Sequence, residues 1–174
     1  MHKRQEIIMT THERFALALS KAKAGIPESM KWRVSEYSPE ELSEAKLEVT
    51  PRGSTVAVKP SGDIIAICKS ADDDVRGSEL LSWAVKAGGD RLDSFSGNHK
   101  FYTKNGFEPV SWCEFDPEFA PEDWRDEFGH EPIIFYRYTG VYSDTETAEE
   151  FCSRVPVAGD YSVAESTRNK AIDK

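Results

Sequence analysis

The sequence predicts an α/β domain in which a mixed, mostly antiparallel central sheet is flanked by helices. Short β-rich segments separated by turns fill residues 46–68, and helical and strand patterns alternate from residue 77 to residue 138. Alternating elements of this kind bury their apolar faces when helices cover a sheet. A chain of 174 residues has the length of one domain with a full core. We therefore expect a core domain at 46–140, with a helical region at 1–45 packed on it and a polar tail at 141–174.

Two capping signals predict helices in the N-terminal region. Thr10 and Glu13 form the Thr-x-x-Glu pattern of a capping box, and apolar residues then recur at helical spacing. A glycine and a proline soon afterwards end this helix. The Ser38-Pro39 start predicts a second short helix, which ends near Ala45.

Three β-rich segments follow, and the last two predict an antiparallel hairpin. Val56 and Val58 alternate with smaller residues, and Ile64–Cys68 is apolar throughout, with a Pro-Ser-Gly-Asp turn between the two segments. Because Ile64–Cys68 is apolar on both faces, we expect it to be a central strand.

The second half of the core contains two predicted helices and three predicted strands. Small and apolar residues from Gly77 to Gly88 form a stripe that predicts a helix lying close to the sheet. Asn105-Gly106 supplies the left-handed residue that ends a short helix, and Phe107 can then fold back onto its last turn. The predicted strands occupy residues 91–95, 107–115 and 133–138.

The chain beyond residue 140 is polar and poor in large apolar residues. Phe151 predicts a short helix docked on the domain. Residues 159–174 are expected to form a loose tail.

The composition excludes several classes of protein. A formal net charge of −9 argues against nucleic acid as a partner and favours a cationic ligand or a basic protein. The three cysteines are widely spaced, which indicates neither disulfides nor a zinc knuckle and fits a reducing cytoplasm. No apolar run is long enough to cross a membrane, and no export signal is visible. We expect a cytoplasmic protein without a metal site or membrane contact.

Three features follow one another in the second half of the core: Ser78-Glu79-Leu80-Leu81 on a helix, a strand at 91–95, and the run Phe-Tyr-Thr-Lys-Asn-Gly-Phe at 101–107. In this order they resemble N-acetyltransferases of the GNAT superfamily, over roughly residues 54–138. The continuation at 115–138 resembles a subgroup often carried by phages and mobile elements. The resemblance implies acetyl-CoA as co-substrate and an amine, on a small molecule or a protein, as acceptor.

The resemblance also implies where the cofactor lies. In that family the helix start, here Gly77 and Ser78, receives the pyrophosphate of acetyl-CoA. Lys69 and Arg76 are the nearby cations. A backbone N–H of the preceding strand faces the thioester carbonyl, and Ile67 or a neighbour would supply it here.

The cofactor loop departs from the family pattern. Asp72 stands where the family has Arg or Gln, and Val75 stands where it has its first Gly. Three acids, Asp72–Asp74, are expected in the first turn of the helix, where they oppose a bound pyrophosphate. The alternative interpretation of this run is a well-capped, solvated helix start.

Tyr102 matches the family residue that protonates the departing thiolate. The alternative is that Phe101-Tyr102 only packs the short helix onto the sheet. His99 and Asp93 are candidates for the general base, and both can equally be surface or strand residues. Together with Ser94 they also suggest a hydrolase, but no Gly-x-Ser-x-Gly sequence is present.

The loop at 116–131 mixes aromatic and acidic residues. Such a loop can form a pocket for a cationic amine, or it can be pinned onto the domain by its aromatic side chains. Two functions therefore stay open: acetyl transfer to an amine, and a catalytically inactive protein of the same fold whose acidic surface engages a basic protein partner.

Overall fold

The computed structural model describes residues 8–173, which contain six helices and six strands. The helices are α1 (Thr11–Ala24), α2 (Glu28–Lys31), α3 (Gly77–Lys86), α4 (His99–Lys104), α5 (Ala148–Arg154) and α6 (Tyr161–Ile172). The strands are β1 (Lys46–Val49), β2 (Thr55–Val58), β3 (Ile64–Cys68), β4 (Arg91–Phe95), β5 (Phe107–Cys113) and β6 (Ile133–Tyr138). The predicted α/β class is confirmed.

The strands form two antiparallel sheets of three strands rather than one continuous sheet. Their orders are β1-β2-β3 and β4-β6-β5. The sheets meet at a parallel bridge between Asp63, just before β3, and Arg91, at the start of β4. Beyond this bridge β3 and β4 do not pair, so a gap opens between the ends of the two strands.

The β2–β3 hairpin is confirmed, but the predicted central position of β3 was wrong. Gly62 takes φ 95° in the turn, and the Lys59 N–H donates to the Asp63 carbonyl at 2.9 Å. β3 is the last strand of its sheet. It is apolar on both faces because Ile64 packs in the cluster around α3, whereas Ala66 packs in the cluster around α1. β3 is therefore apolar because helices cover both of its faces, even though it is an edge strand of its sheet.

Helices cover both faces of the sheets. One core cluster joins α3, α4 and α5 to both sheets. Successive strand residues point to opposite faces, so Ala57 and Phe135 face the other side. There α1 covers the first sheet through the fully buried Phe15 and Leu19, and α6 covers the second sheet. The domain therefore has a helix, sheet and helix layer.

The first predicted helix is confirmed and the second is not. The Glu13 N–H donates to the Thr10 hydroxyl at 3.1 Å, as the capping box requires. Ser38 and Glu41 exchange the same pair of hydrogen bonds, at 3.1 and 3.2 Å, but the chain continues only as consecutive turns. Its backbone hydrogen bonds run mostly from residue i+3 to residue i, for example from the Ser43 N–H to the Glu40 carbonyl at 3.3 Å, whereas an α-helix needs consecutive bonds from i+4 to i.

The expected loose tail at 159–174 was wrong, because Tyr161–Ile172 forms a docked helix. The Val163 N–H donates to the Asp160 carboxylate at 2.9 Å and caps it. Arg168 is fully buried, and its guanidinium donates to the Leu92 carbonyl at 3.0 Å and to the Asp63 carboxylate at 3.3 Å. An arginine anchors the helix, so its apolar pattern was too weak to predict it. The predicted docking of Phe151 is confirmed by its burial in α5.

The cysteines Cys68, Cys113 and Cys152 are free. In the part of the chain from residue 8 to residue 173, no cluster of three His, Cys, Asp or Glu side chains has the arrangement of a metal site. No helix in this same part is both long and apolar enough to span a bilayer.

Candidate active site

A cavity of about 380 Å³ lies in the gap between β3 and β4. Ile64–Ile67 of β3 and Asp93–Phe95 of β4 form two of its walls, and Tyr102 of α4 lines it as well. Tyr37 and Tyr161 reach the same space from outside the core segment. We call this space the Tyr102 cavity. It brings Tyr102, Asp93 and Ile67, three residues named from the sequence, to one place.

β3 contains a bulge at the cavity wall. Thr55 of β2 pairs with Cys68, whereas Ala57 pairs with Ile65, so β3 has one residue more than β2 between these pairs. Ala66 takes φ 57°, and among residues 8–173 it is the one non-glycine residue with positive φ. A bulge leaves its extra residue without a regular ladder partner. Here the Ala66 carbonyl accepts a hydrogen bond from the Thr55 hydroxyl at 2.8 Å. Ile67, where the sequence placed a donor for a carbonyl oxygen, follows the bulge and lines the cavity.

Tyr102 combines packing with access to the cavity. The side chain is 8% exposed and packs against Phe107 and Tyr136, with ring centroids 6.2 and 5.5 Å away. Burial raises the pKa of the phenol to about 12, and a hydrogen bond with Ser94 acts in the opposite direction. Tyr102 is therefore protonated at neutral pH, as a hydrogen-bond donor must be.

Asp93 is one of three carboxylates among the described residues that line the Tyr102 cavity, together with Asp63 and Glu165. Burial raises its pKa to about 6, while a hydrogen bond with Tyr161 and the charge of Arg168 act to lower it. Such a group is ionised at pH 7 and is far more basic than an ordinary aspartate. Of the two candidate bases from the sequence, Asp93 is the one that lines the same cavity as Tyr102. Its side chain lies on the α6 side of its sheet, as that of its pairing partner Phe135 does.

His99 lies away from the Tyr102 cavity. Its ring is buried in the core, and its Nδ1 is 2.8 Å from the hydroxyl of Tyr136. Burial lowers the pKa of the imidazole, which keeps the ring neutral. His99 therefore has no contact with the groups that could perform chemistry in this cavity.

The acidic run does not occupy the first turn of α3, contrary to the sequence expectation. The helix begins at Gly77, and the run precedes it as a turn. The Asp73 carboxylate points inward, where it accepts hydrogen bonds from the Thr50 hydroxyl, from the Ser54 hydroxyl at 2.7 Å and from the Val75 N–H at 3.0 Å. These bonds lower the pKa of Asp73 to about 2. Asp73 therefore holds the loop together and does not cap the helix.

The N-terminus of α3 is compact, and the acid in its first turn is Glu79 and not the Asp72–Asp74 run. A Cβ at Gly77 would lie 2.8 Å from Cζ of Phe101, so the glycine allows α4 to pack closely here. No side chain among the described residues accepts a hydrogen bond from the Gly77 or Ser78 N–H, whereas the Arg76 N–H donates to Glu79 at 3.4 Å. The Arg76 side chain is exposed.

Four of the residues predicted to bind the cofactor do not line the Tyr102 cavity. They lie at the end of β3 and at the start of α3: Lys69, Arg76, Gly77 and Ser78. Gly77 is half-buried against the Phe101 ring, and the other three residues are exposed. Arg52 adds a third cation, since its Nη1 donates to the Asp72 carbonyl at 3.3 Å. Arg52 thus contacts the loop that Lys69 and Arg76 flank in sequence, and Asp72 and Asp74 are the exposed acids of its acidic run.

Tyr37 and Tyr161 were missed by sequence reasoning. Tyr37 belongs to the N-terminal turns, and burial together with the charge of Asp93 raises its pKa to about 12. Tyr161 is the first residue of α6, which lies in the segment 159–174 that was expected to form a loose tail. The available signal for this helix was Asp160, because aspartate is a preferred N-cap residue.

The loop at 116–131 is pinned to the domain and also presents one aromatic ring. Trp124 packs on Phe115 with centroids 4.8 Å apart and donates to the Gly129 carbonyl at 2.9 Å. Asp123 forms an ion pair with Lys23 at 3.0 Å. Phe119, by contrast, is 80% exposed. Trp124 and Asp123 therefore fit the interpretation of a loop pinned to the domain, whereas the exposed Phe119 fits the interpretation of a binding pocket.

No family model, no curated protein and no solved structure matches this chain.

Proposed function

We propose that the protein is an N-acetyltransferase that transfers an acetyl group from acetyl-CoA to an amine. The observation that carries the proposal is the Tyr102 cavity, which is lined by a protonated phenol, a basic carboxylate and the bulged strand β3. These are the three groups that aminolysis of a thioester requires: a proton donor, a proton acceptor and a backbone donor for the carbonyl oxygen.

The order of elements supports the same proposal. An apolar strand, a helix that begins at Gly77, a second strand and the short helix with Tyr102 follow one another, as the resemblance to the GNAT superfamily requires. The core sheets are antiparallel within themselves and have helices on both faces. The GNAT-like character of the fold is part of the proposal.

The residues at the start of α3 fit an acidic cofactor. Two amides without intrahelical partners lie there, at the positive end of the helix dipole. Arg52, Lys69 and Arg76 are nearby cations, and Asp73 has turned its carboxylate inward. Bound acetyl-CoA would supply the thioester whose carbonyl carbon the amine attacks.

The transfer forms a C–N bond and breaks a C–S bond. Asp93 accepts the proton that the amine loses, because the nitrogen becomes strongly acidic once the C–N bond has formed. Tyr102 donates a hydrogen bond to the departing sulfur. With the phenol pKa at about 12 and an ordinary thiol near 8.5, complete transfer is uphill by about 5 kcal/mol. The phenol therefore keeps its proton and the sulfur leaves as the thiolate. Asp93 releases the proton that it accepted to solvent, and the thiolate is protonated from solvent, so that protons balance.

The rival function, an inactive acidic protein that binds a basic protein partner, is less well supported. The acidic run was its main motivation, and Asp73 uses its carboxylate within the fold. A surface for a basic partner has no need for a buried carboxylate with a raised pKa beside a phenol.

Titration calorimetry with acetyl-CoA tests the cofactor assignment. We expect saturable binding, weakened about 3- to 10-fold by Arg76→Ala through the loss of a cation near the pyrophosphate. Lys86→Ala, at the other end of α3, is the matched control and should leave the affinity unchanged. Absence of heat at millimolar acetyl-CoA would end the proposal while leaving the fold intact.

A further inference from the structure

A second and larger cavity adjoins the Tyr102 cavity. Its volume is about 840 Å³, and it lies between the loop after β5 and the start of α6. We call it the outer cavity. Five residues line both cavities and therefore connect them: Phe95, Phe119, Pro121, Ile133 and Tyr161.

The walls of the outer cavity are largely apolar. Phe115 and Ala158 lie on its sides, and Val157 lies at its edge with 46% of its surface exposed. Phe119 is 80% exposed, so this large ring has no packing partner that covers it. Unpacked aromatic surface next to a cavity is typical of a binding site for an apolar group.

The charges of the outer cavity all have one sign. Glu114, Asp116 and Asp160 line it, and within residues 8–173 no lysine or arginine does. Asp116 and Asp160 accept hydrogen bonds from backbone N–H groups at 3.0 and 2.9 Å. Glu114 makes no hydrogen bond to another described residue and is exposed. An apolar cavity with an acidic rim attracts a cation and repels an anion.

We propose that the acceptor of the acetyl group is a small primary amine with an apolar body. The body occupies the outer cavity against Phe115 and Phe119, and the amino group extends past Tyr161 to Asp93 in the Tyr102 cavity. The acids at the rim attract the protonated amine during entry. That this amine accepts the acetyl group rests on the proposed acetyl transfer. Binding of the amine in the outer cavity can be tested without the cofactor.

Calorimetry with three probes separates the two recognition features. Phenethylamine carries both the charge and the ring, 2-phenylethanol has only the ring, and ethanolamine has only the charge. We expect phenethylamine to bind about 10-fold or more tightly than either of the others, since a buried ring and a charge each contribute. Equal binding of all three probes would overturn the proposal.

Two pairs of variants locate the binding. Phe119→Ala should weaken phenethylamine about 5- to 10-fold through lost apolar contact, whereas Tyr142→Ala, an exposed aromatic outside the cavity, should not. Glu114→Gln should weaken phenethylamine about 3-fold and leave 2-phenylethanol unchanged, with Glu118→Gln as its control. All four positions are exposed, so folding is preserved. Unchanged affinity in Phe119→Ala would overturn the assignment.

An acetylation assay with the same amines distinguishes this proposal from the acetyltransferase itself. Transfer to phenethylamine in preference to ethanolamine supports both. Equal transfer to the two amines leaves the acetyltransferase standing and overturns the apolar acceptor. Selective binding of phenethylamine without any transfer supports the binding site and counts against the enzyme.

Discussion

Asp93 is a carboxylate whose environment opposes its charge. Burial next to the cavity raises its pKa to about 6, although Tyr161 and Arg168 partly stabilise the ion. A folded-state pKa above the ordinary value of 3.8 means that the native protein binds the proton more tightly than the unfolded chain does. The charge therefore lowers stability as the pH rises from about 4 to about 6. A group that opposes folding in this way is typical of a functional site.

Asp93→Asn should stabilise the protein at neutral pH. We expect the free energy of unfolding to rise by about 1–3 kcal/mol at pH 7 and to match the unmodified protein below about pH 3, where Asp93 is protonated in both states. Urea unfolding at the two pH values measures this difference. Asp74→Asn, at an exposed acid, is the control and should change stability by less than about 0.5 kcal/mol. A destabilised Asp93→Asn at pH 7 would contradict the account.

Asp73 has the opposite relation to stability. Its hydrogen bonds to Thr50, Ser54 and Val75 lower its pKa to about 2. The stabilisation is fully present above the ordinary pKa of 3.8 and is lost as the pH falls through about 2. Two aspartates of one small domain thus have pKa values on opposite sides of the ordinary range.

Asp73→Asn should lower the urea midpoint at pH 7, because an amide cannot accept all three hydrogen bonds. The difference from the unmodified protein should shrink as the pH falls from 4 toward 2. Asp72→Asn, at the exposed neighbour, should leave the midpoint unchanged at every pH. Equal midpoints of the Asp73 variant and the unmodified protein at pH 7 would show that the carboxylate does not hold the loop.

A residue of the candidate site could be predicted from the sequence where it belongs to a local motif. Tyr102 lies in the Phe-Tyr-x-x-x-Gly-Phe run, and Gly106 ends its helix with φ 89° as predicted. The basicity of Asp93 was not predictable, since it arises from burial and from Tyr161 and Arg168. Both partners come from a helix more than 60 residues further along the chain, so no local pattern links them to Asp93.

At the scale of secondary structure, α6 contributes to the candidate site although its segment was expected to form a loose tail. It supplies Tyr161 and Glu165 to the Tyr102 cavity and is anchored by the buried Arg168. Arg91 adds hydrogen bonds to Asn169 and Asp173 at 3.3 and 3.1 Å. Because these anchors are charged, they escape a search for apolar periodicity, whereas the apolar face of α1 was found at once.

Arg168→Ala should destabilise the protein by about 3–5 kcal/mol. The change leaves the Asp63 carboxylate without its buried partner and the Leu92 carbonyl without a donor. Chemical unfolding measures the loss, and Lys170→Ala on the exposed side of the same helix should change stability by less than about 0.5 kcal/mol. Hydrogen exchange of α6 should accelerate in the Arg168 variant alone. Equal stability of the two variants would indicate that the helix is held in another way.

At the scale of the whole molecule, the gap between the two sheets creates the site. The sequence predicted the strands and their helices, but it predicted one continuous sheet with β3 in the middle. Strand order and sheet separation depend on which strand edges pair between segments distant in sequence. The bridge from Asp63 to Arg91, through which the two sheets meet, has no local sequence signal. The same gap explains why residues from the N-terminal turns, the core and the C-terminal helix meet at one cavity.

The proposed chemistry predicts a specific pH dependence for the whole protein. Asp93 accepts a proton only when it is ionised, so the acetylation rate per free amine should rise with pH around a midpoint of about 6. This rise of the rate with pH should disappear in Asp93→Asn. Rates measured from pH 5 to pH 8 with one amine and saturating acetyl-CoA test this. A midpoint near pH 4 would assign the rise of the rate to an ordinary carboxylate elsewhere in the protein.

The most direct test of the proposed acetyl transfer is mass-spectrometric detection of acetylated amine, with phenethylamine and acetyl-CoA as substrates. We predict turnover by the unmodified protein, a rate about 10- to 100-fold lower in Tyr102→Phe, and a rate about 100-fold or more lower in the more stable Asp93→Asn. Tyr142→Ala should retain the full rate. No acetylated product from phenethylamine or a panel of other amines, with the protein folded, would contradict the central claim; so would an undiminished rate in Asp93→Asn.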